Sequence, residues 1–181
     1  MSQQVTQEQQ ISILIAGIGN IFLGDDGFGV EVAQRLLRRV DSAYPDSVRV
    51  VDFGIRGIEL AYTLLDDYDL IILVDTLPCL GSPGTLHLLE IGATQKEQTQ
   101  NLEEAQYVYL DGHSMDPVKV LSFAHTLGAR PKRTLLVGCE AATSLNEESE
   151  LDFQPGLSHE VAQAIDGAIQ MIDCLVQEIS C

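Results

Sequence analysis

The chain has 181 residues with 10 basic and 27 acidic side chains, and its formal net charge is −17. This charge argues against nucleic acid as a partner, because binding DNA or RNA rests mainly on cations that neutralise phosphates. Hydrophobic residues make up 45% of the chain, which is enough apolar surface for a packed core and excludes a disordered chain.

The cysteines and the N-terminal segment indicate the cellular compartment of the protein. The four cysteines form no C-x-x-C pair, which excludes a zinc ribbon and a thioredoxin-type motif. The first ten residues, MSQQVTQEQQ, lack the basic start of a signal peptide, and the apolar run after them is too short to span a bilayer. We therefore expect a cytoplasmic protein with reduced thiols and no membrane partner. Residues 1–10 are expected to be flexible, ahead of a single domain over residues 11–181.

Predicted strands and helices alternate along the chain. Strands are predicted at 11–17, 48–53, 70–74, 85–89 and 134–138, and helices around 30–40, 58–65, 117–127 and from residue 159 onward. Asp116 and Ser158 are the predicted caps of the last two helices, and residues 93–106 are expected to form a long loop or irregular segment. This alternation predicts an α/β three-layer sandwich with a largely parallel sheet and helices on both faces.

In such folds, ligands bind beyond the carboxyl ends of the strands, so residues that follow the strands are the first candidates for a site. The loop after the first strand reads GIGNIFLGDDGFG over residues 17–29. Phe22 occupies the third glycine position of the dinucleotide fingerprint G-x-G-x-x-G, so the close helix approach that this glycine permits is expected to be lost. Asp52 could still mimic a ribose-binding acid, which keeps a nucleotide site open as an alternative.

Four polar side chains are expected to converge at this edge: Asp25, Asp26, Asp75 and His113. One of the two adjacent aspartates can cap the first helix, which leaves the other free to face the crevice. Taken alone, Asp75 is more simply a solvated strand end and His113 a loop residue. Together, two carboxylates and an imidazole form a three-ligand set with open positions, which suits nickel, zinc, manganese or iron more than copper(I).

The remaining histidines and Cys139 have simpler structural interpretations. His87 lies within a predicted strand and His125 within a helix, while His159 belongs to the solvated first turn of the last helix. Cys139 follows an apolar strand and is expected to be a core residue rather than a nucleophile.

The loop over residues 17–29 resembles the N-terminal motif of the [NiFe]-hydrogenase maturation endopeptidases. The resemblance extends over nearly the whole chain: DFGIRGIEL at 52–60 is similar to the family's D-G-G-T-x-G-x-x-L segment, and LVDT at 73–76 to the strand that carries its second acidic ligand. PGT at 83–85, His113 and LVG at 136–138 match in the same order. Phe53 and Ile55 depart from the family pattern, which has Gly and Thr there.

The resemblance implies an endopeptidase that removes a C-terminal extension from the precursor of a hydrogenase large subunit after nickel insertion. Asp26, Asp75 and His113 would contact nickel, which the precursor would supply, and Asp26 would also be catalytic. The free protein would be monomeric. The alternatives are a nucleotide-binding α/β protein, a non-catalytic chaperone of the same precursor, and a related peptidase that acts on another protein.

Overall fold

The structure, a computed structural model, describes residues 11–39, 44–91, 116–142 and 155–180. Its strands are β1 Ile13–Ile18, β2 Val48–Gly54, β3 Leu70–Leu77, β4 Leu86–Glu90 and β5 Arg133–Glu140. Its helices are α1 Phe28–Leu37, α2 Gly57–Thr63, α3 Pro117–Leu127 and α4 His159–Ser180, and a 3₁₀ turn, Gly24–Gly27, precedes α1. The segments 1–10 and 93–106, for which the sequence predicts no regular element, lie outside the described residues.

The five strands form one sheet in the order β2-β1-β3-β5-β4. The β1–β2, β1–β3 and β3–β5 pairs are parallel, whereas β4 runs antiparallel to β5 at the edge. Parallel neighbours need crossover connections, and the helices supply them. The predicted α/β fold with a largely parallel sheet is confirmed.

Side-chain alternation along the strands divides the core between the two faces of the sheet. On β1, Ile13 and Ile15 pack in a cluster with residues of α1 and α4. Leu14 and Ala16 point the other way, into a cluster with residues of α2 and α3. Because successive side chains of a strand point to opposite faces, this arrangement buries the sheet between two helix layers, as the sequence predicts.

Two strands continue past the apolar runs that reveal them in the sequence. β3 extends to Leu77 and β5 to Glu140, because Asp75, Thr76 and Leu77 pair with residues 138–140 of β5. Asp75 is therefore inside a paired strand and only 7% exposed. The interpretation of Asp75 as a solvated strand end was wrong, since backbone pairing outlasts the hydrophobic pattern here.

Local capping signals place the ends of the later helices where the sequence predicts them. The Asp116 side chain accepts a hydrogen bond from the Val118 amide at 2.9 Å, Pro117 opens α3, and Gly128 closes it with a φ of 109°. The Ser158 hydroxyl accepts from the Val161 amide at 3.4 Å at the start of α4. The Asp116 and Ser158 side chains accept hydrogen bonds from first-turn amides that have no partner within the helix. Gly128 adopts the left-handed conformation that ends α3.

Glycines at two positions allow α1 to lie directly against the sheet. A Cβ on Gly29 would stand 2.1 Å from the Val74 carbonyl oxygen, and a Cβ on Gly17 would stand 2.3 Å from the Gly29 carbonyl oxygen. The expectation that Phe22 in the fingerprint position abolishes close helix approach was wrong. Gly17 and Gly29 supply that approach from other positions of the same loop.

We expect Gly29→Ala to destabilise the protein by about 2 kcal/mol or more, because the added methyl group meets backbone oxygens that cannot rotate away. Gly167→Ala is the matched control. Its Cβ would approach only the Leu86 Cδ1 atom, at 3.1 Å, and alanine is the better helix former. In chemical unfolding, the free energy of unfolding should fall by about 2 kcal/mol or more in Gly29→Ala and should change by less than about 1 kcal/mol in Gly167→Ala. Similar stability of both would contradict the close approach.

Candidate active site

Polar side chains gather at the edge of the sheet where β1, β3 and β5 end. The Gly24–Gly27 turn follows β1 and carries Asp25 and Asp26, and Asp75 lies near the end of β3. Helix α3 begins at the same edge, since it leads to the opposite end of β5 at Arg133, and the charge of its cap, Asp116, contributes to the raised pKa of Asp75. This is the crevice that the fold class predicts for a ligand.

Asp26 is half-buried and is held by two donors. The Asn20 amide donates to Oδ2 at 2.7 Å, and the Thr76 hydroxyl donates to Oδ1 at 3.4 Å. Burial raises the pKa of Asp26 above its ordinary value, although both hydrogen bonds act in the opposite direction. The two donors thus fix the carboxyl group in place, but neither of them carries a positive charge that would offset its burial.

Asp75 is the more strongly perturbed carboxyl. Its pKa is raised to about 8, chiefly by burial and also by the charges of Asp26 and Asp116, although the hydrogen bond from the Thr76 amide to Oδ1 at 2.8 Å acts in the opposite direction. No cation among the described residues forms an ion pair with Asp26 or Asp75. In the free protein, this raised pKa favours the protonated form of Asp75 at neutral pH.

Thr76 joins the two carboxyls, since its hydroxyl reaches Asp26 and its amide reaches Asp75. Two neighbouring carboxyl groups that repel each other when both are ionised, in a partly dry crevice, form a site that a cation would stabilise. Binding a cation there requires both groups to ionise, so binding releases protons. The donor set of this part of the crevice, two hard oxygens, fits a divalent metal ion.

Asp25 has a structural role that differs from the role of its neighbour Asp26. Its side chain is only 2% exposed and accepts hydrogen bonds from the Ala142 amide at 2.8 Å and the Ser158 amide at 2.6 Å. Neither Asp25 nor Asp26 caps α1, whose N-cap is Gly27 with no side-chain bond. The expected capping role was wrong, because these carboxylates accept from the more distant amides that the fold brings to them.

The third predicted ligand, His113, lies outside the described residues. Within the described ranges, no three side chains of the His, Cys, Asp and Glu types are grouped so that they could hold a metal ion. Asp26 and Asp75 are brought together as predicted, and the complete set with His113 stays a prediction.

Sequence reasoning missed the structural role of Glu140. This carboxylate is 5% exposed at the end of β5, and it accepts from the Leu80 amide at 3.0 Å and the Gly81 amide at 2.7 Å. His87 Nε2 lies 2.8 Å from its other oxygen. The His87 contact is the main reason that the pKa of Glu140 lies below its ordinary value. The only signal in the sequence was an acidic residue directly after an apolar run.

Three other candidates take structural positions. Cys139 is fully buried in the core, and burial raises the pKa of its thiol to about 12, which confirms the core interpretation and removes it as a nucleophile. Asp52 accepts from the Gln34 side-chain amide at 3.0 Å, so its carboxylate is already engaged. His159 lies 2.9 Å from the Gln163 side chain on the first turn of α4.

Comparison with known proteins decides the family. A family model described as hydrogenase maturation protease, HycI, matches residues 30–173. A protein of Methanocaldococcus jannaschii named as a hydrogenase maturation protease is 34% identical over 161 residues, which cover 88% of this chain and 93% of that protein. The chain belongs to the hydrogenase maturation protease family.

Further members of the family agree in sequence and in fold. The hydrogenase 2 maturation protease of Escherichia coli K12 is 27% identical, with 88% of this chain and 94% of that protein covered. The structure of the E. coli hydrogenase maturating endopeptidase HybD matches with a TM-score of 0.68 at 26% identity over 93% of both chains. A hydrogenase 2 maturation peptidase from a Thaumarchaeota archaeon matches with a TM-score of 0.61 at 30% identity, over 91% of this chain and 97% of that one. This chain is therefore an endopeptidase of hydrogenase maturation.

The two departures from the family pattern have different consequences in the structure. Phe53 is fully buried in the core cluster beneath α2, so it packs the fold and makes no surface contact. Ile55 is exposed in the turn before α2. Only Ile55 therefore changes the surface that this maturation protease presents beside β2.

None of the helices in the described part of the chain combines the length and the apolar character that a membrane crossing requires.

We expect Asp75→Asn to stabilise the free protein near neutral pH. The pKa of Asp75 is about 8 in the folded chain against an ordinary value of 3.8, so between these values the unfolded chain loses a proton that the folded chain keeps. The free energy of unfolding then falls by about 1.4 kcal/mol for each pH unit, and asparagine, which cannot ionise, escapes this loss. Thermal midpoints should be similar at pH 4 and should diverge in favour of the variant up to pH 8.

Asp67→Asn is the control, because Asp67 is exposed in the turn before β3, at the opposite edge of the sheet. This variant should follow the wild-type protein at every pH. Equal thermal midpoints for wild type and Asp75→Asn at pH 8 would contradict the raised pKa.

Proposed function

We propose that this protease removes the C-terminal extension of a [NiFe]-hydrogenase large-subunit precursor after nickel has been inserted. The observation that carries the proposal is the pair Asp26 and Asp75, two adjacent carboxyls with raised pKa values and no cation partner in the described part of the chain. Such a pair gains most from a substrate that brings its own positive charge. Relatives named as hydrogenase maturation proteases give the class of substrate.

In this proposal, Asp26, Asp75 and His113 together contact the nickel of the precursor. The two carboxylates supply oxygen ligands, and a neutral histidine ring supplies nitrogen. Asp116, three residues after His113, raises the pKa of Asp75 by its charge. Three residues of extended chain span at most about 11 Å, so the chain allows His113 to reach the same crevice.

Asp26 is the residue to which we assign proton transfer. Its half-buried position and raised pKa favour a carboxyl group that can accept a proton, and the Asn20 amide and Thr76 hydroxyl fix its orientation. A water molecule held beside Asp26 would attack the scissile carbonyl while the carboxylate takes its proton, and the protonated Asp26 would then give that proton to the leaving amine as the C–N bond breaks. Nickel would hold the precursor with that peptide in place, and could also polarise the carbonyl or activate the water.

The alternatives have less support from the molecule. A dinucleotide site would use Asp52, which is already bound by Gln34. A chaperone without catalysis would not need a perturbed carboxyl pair, and the family is one of endopeptidases. We extend the proposal to a cytoplasmic protein that is monomeric when free, which size-exclusion chromatography with light scattering would check.

Incubation with a nickel-loaded large-subunit precursor, followed by intact-mass measurement, tests the function. We expect a single cleavage that shortens the precursor at its C-terminus, and no cleavage of the nickel-free form with the same sequence. Asp26→Asn should reduce the rate by at least about 100-fold, because the amide nearly keeps the shape of the carboxyl but loses its basicity.

Asp67→Asn, a matched substitution at the opposite edge of the sheet, should cleave like the wild type. Equal cleavage of nickel-loaded and nickel-free precursor would remove nickel from substrate recognition. Full activity of a folded Asp26→Asn protein would remove Asp26 from the mechanism.

We expect kcat/KM for precursor cleavage to fall on the acidic side in two stages. Asp75 must ionise to contact a cation, so kcat/KM should decrease by about tenfold per pH unit below about pH 8. An unperturbed histidine titrates near about 6.5, and protonated His113 has no lone pair for a metal, so the fall should steepen below that pH. His113→Ala should remove most activity, and its residual activity should lose the steeper stage only.

The pH profile therefore separates the two residues. A residual activity in His113→Ala that falls as steeply as the wild type below pH 6 would assign that stage to another group. A flat profile between pH 6 and pH 8 would show that Asp75 does not ionise on binding.

A further inference from the structure

The loop between β3 and β4 is held by one buried carboxylate. Glu140 accepts from the backbone amides of Leu80 and Gly81, at 3.0 and 2.7 Å, through the same oxygen. Its second oxygen lies 2.8 Å from His87 Nε2, which leaves neither oxygen without a partner. The side chain is only 5% exposed, so these bonds form where water cannot easily replace them.

The backbone around Glu140 fixes both ends of the same loop. The Gly84 amide donates to the Glu140 carbonyl at 2.8 Å, and the Glu140 amide donates to the Thr85 carbonyl at 2.9 Å. At the other end, the Ala141 amide donates to the Leu77 carbonyl at 3.0 Å. Hydrogen bonds to the backbone therefore anchor residues 78–84 at both ends and in the middle. The side chains at the tip of this loop remain exposed.

Leu80 sits at the tip of this loop with 92% of its surface exposed. Its amide is the one that Glu140 holds, so the backbone at this residue is fixed while the side chain points away from the protein. The loop begins directly after β3, and Leu80 follows Asp75 by five residues on the carboxyl side of the sheet. A large apolar side chain held in water at this end of the sheet adds nothing to the packing of the fold.

We infer that Leu80 is a specificity-determining residue that packs against an apolar part of the precursor, and that Glu140 is the positioning residue that presents it. The inference rests on the proposed function, because the precursor is the only occupant that the reaction brings to this edge. Anchoring by Glu140 means that little conformational freedom is lost when Leu80 is covered, so the contact favours binding more than a mobile loop would.

Steady-state kinetics with the nickel-loaded precursor tests the role of Leu80. We expect Leu80→Ala to raise KM about tenfold, the effect of losing most of one buried leucine side chain, and to leave kcat within about twofold. Leu37→Ala is the matched control, since Leu37 is 56% exposed at the end of α1, on the opposite edge of the sheet. It should change neither constant.

Cys79 gives a second readout that does not depend on turnover. Cys79 and Cys174 are both exposed, but only Cys79 lies beside Leu80. We expect the precursor to slow the alkylation of Cys79 by a maleimide at least about fivefold, as read by peptide mass spectrometry, and to leave Cys174 unchanged. The Cys174 rate corrects for any loss of reagent to the precursor.

Glu140→Gln tests the positioning role. Glutamine can still accept from the Leu80 and Gly81 amides through its oxygen, but it lacks the negative charge that strengthens these bonds, so the loop should loosen and KM should rise with kcat retained. Because Glu140 acts through Leu80, the double variant Glu140→Gln/Leu80→Ala should have nearly the same KM as Leu80→Ala alone. If the increase in KM in the double variant equals the product of the increases in the two single variants, Glu140 does not act through Leu80.

The outcomes separate this inference from the proposed function. If the wild type leaves the nickel-loaded precursor intact, the proposed function fails. If the wild type cleaves it and Leu80→Ala matches Leu37→Ala, with no protection of Cys79, only the inference fails. A thermal midpoint that drops by several degrees in Leu80→Ala would show that Leu80 packs within this chain, and would also overturn the inference.

Discussion

The parallel pairing of β3 with β5 is the interaction on which the candidate site depends. It continues for three residues beyond the apolar run of β3 and carries Asp75 and Thr76 into a region closed on both faces. A carboxyl group in that position is costly to ionise, and its backbone leaves it no freedom to turn into solvent. The high pKa of Asp75 and the fixed position of Asp26 beside Thr76 both follow from this extension of the ladder.

Among the acidic side chains described at this edge, hydrogen bonds divide Asp25, Glu140, Asp26 and Asp75 into two pairs. Asp25 and Glu140 each accept two backbone amides from other segments, so they tie loops to the sheet. Asp26 and Asp75 accept fewer amides and repel one another. Carboxylates saturated by amides stabilise the chain, and carboxylates left undersaturated are the ones that have capacity for a ligand.

The sequence was sufficient for the order of elements, the sheet class and the pairing of Asp26 with Asp75, because these follow from hydrophobic periodicity and from where parallel strands end. Taken alone, Asp75 resembled a solvated strand end, and that interpretation was wrong because hydropathy ends at Val74 while the backbone ladder continues. The sequence also assigned helix capping to a carboxylate of the Asp25–Asp26 pair, because the Ala142 and Ser158 amides are distant in sequence. The role of Glu140 could not be predicted, since its partners come from a loop and from the antiparallel strand β4.

The two bonds of Asp25 also constrain when the protein can become active. They reach across 117 and 133 residues of sequence, to Ala142 and Ser158. Contacts of such separation cost more chain entropy to close than local contacts do. During synthesis, the turn that carries Asp26 therefore lacks its brace until residue 158 has left the ribosome. A chain that ends before Ala142 would contain both candidate aspartates but neither of the amides that hold the neighbouring Asp25, so the turn that carries Asp26 is fully braced only once the start of the last helix has been made.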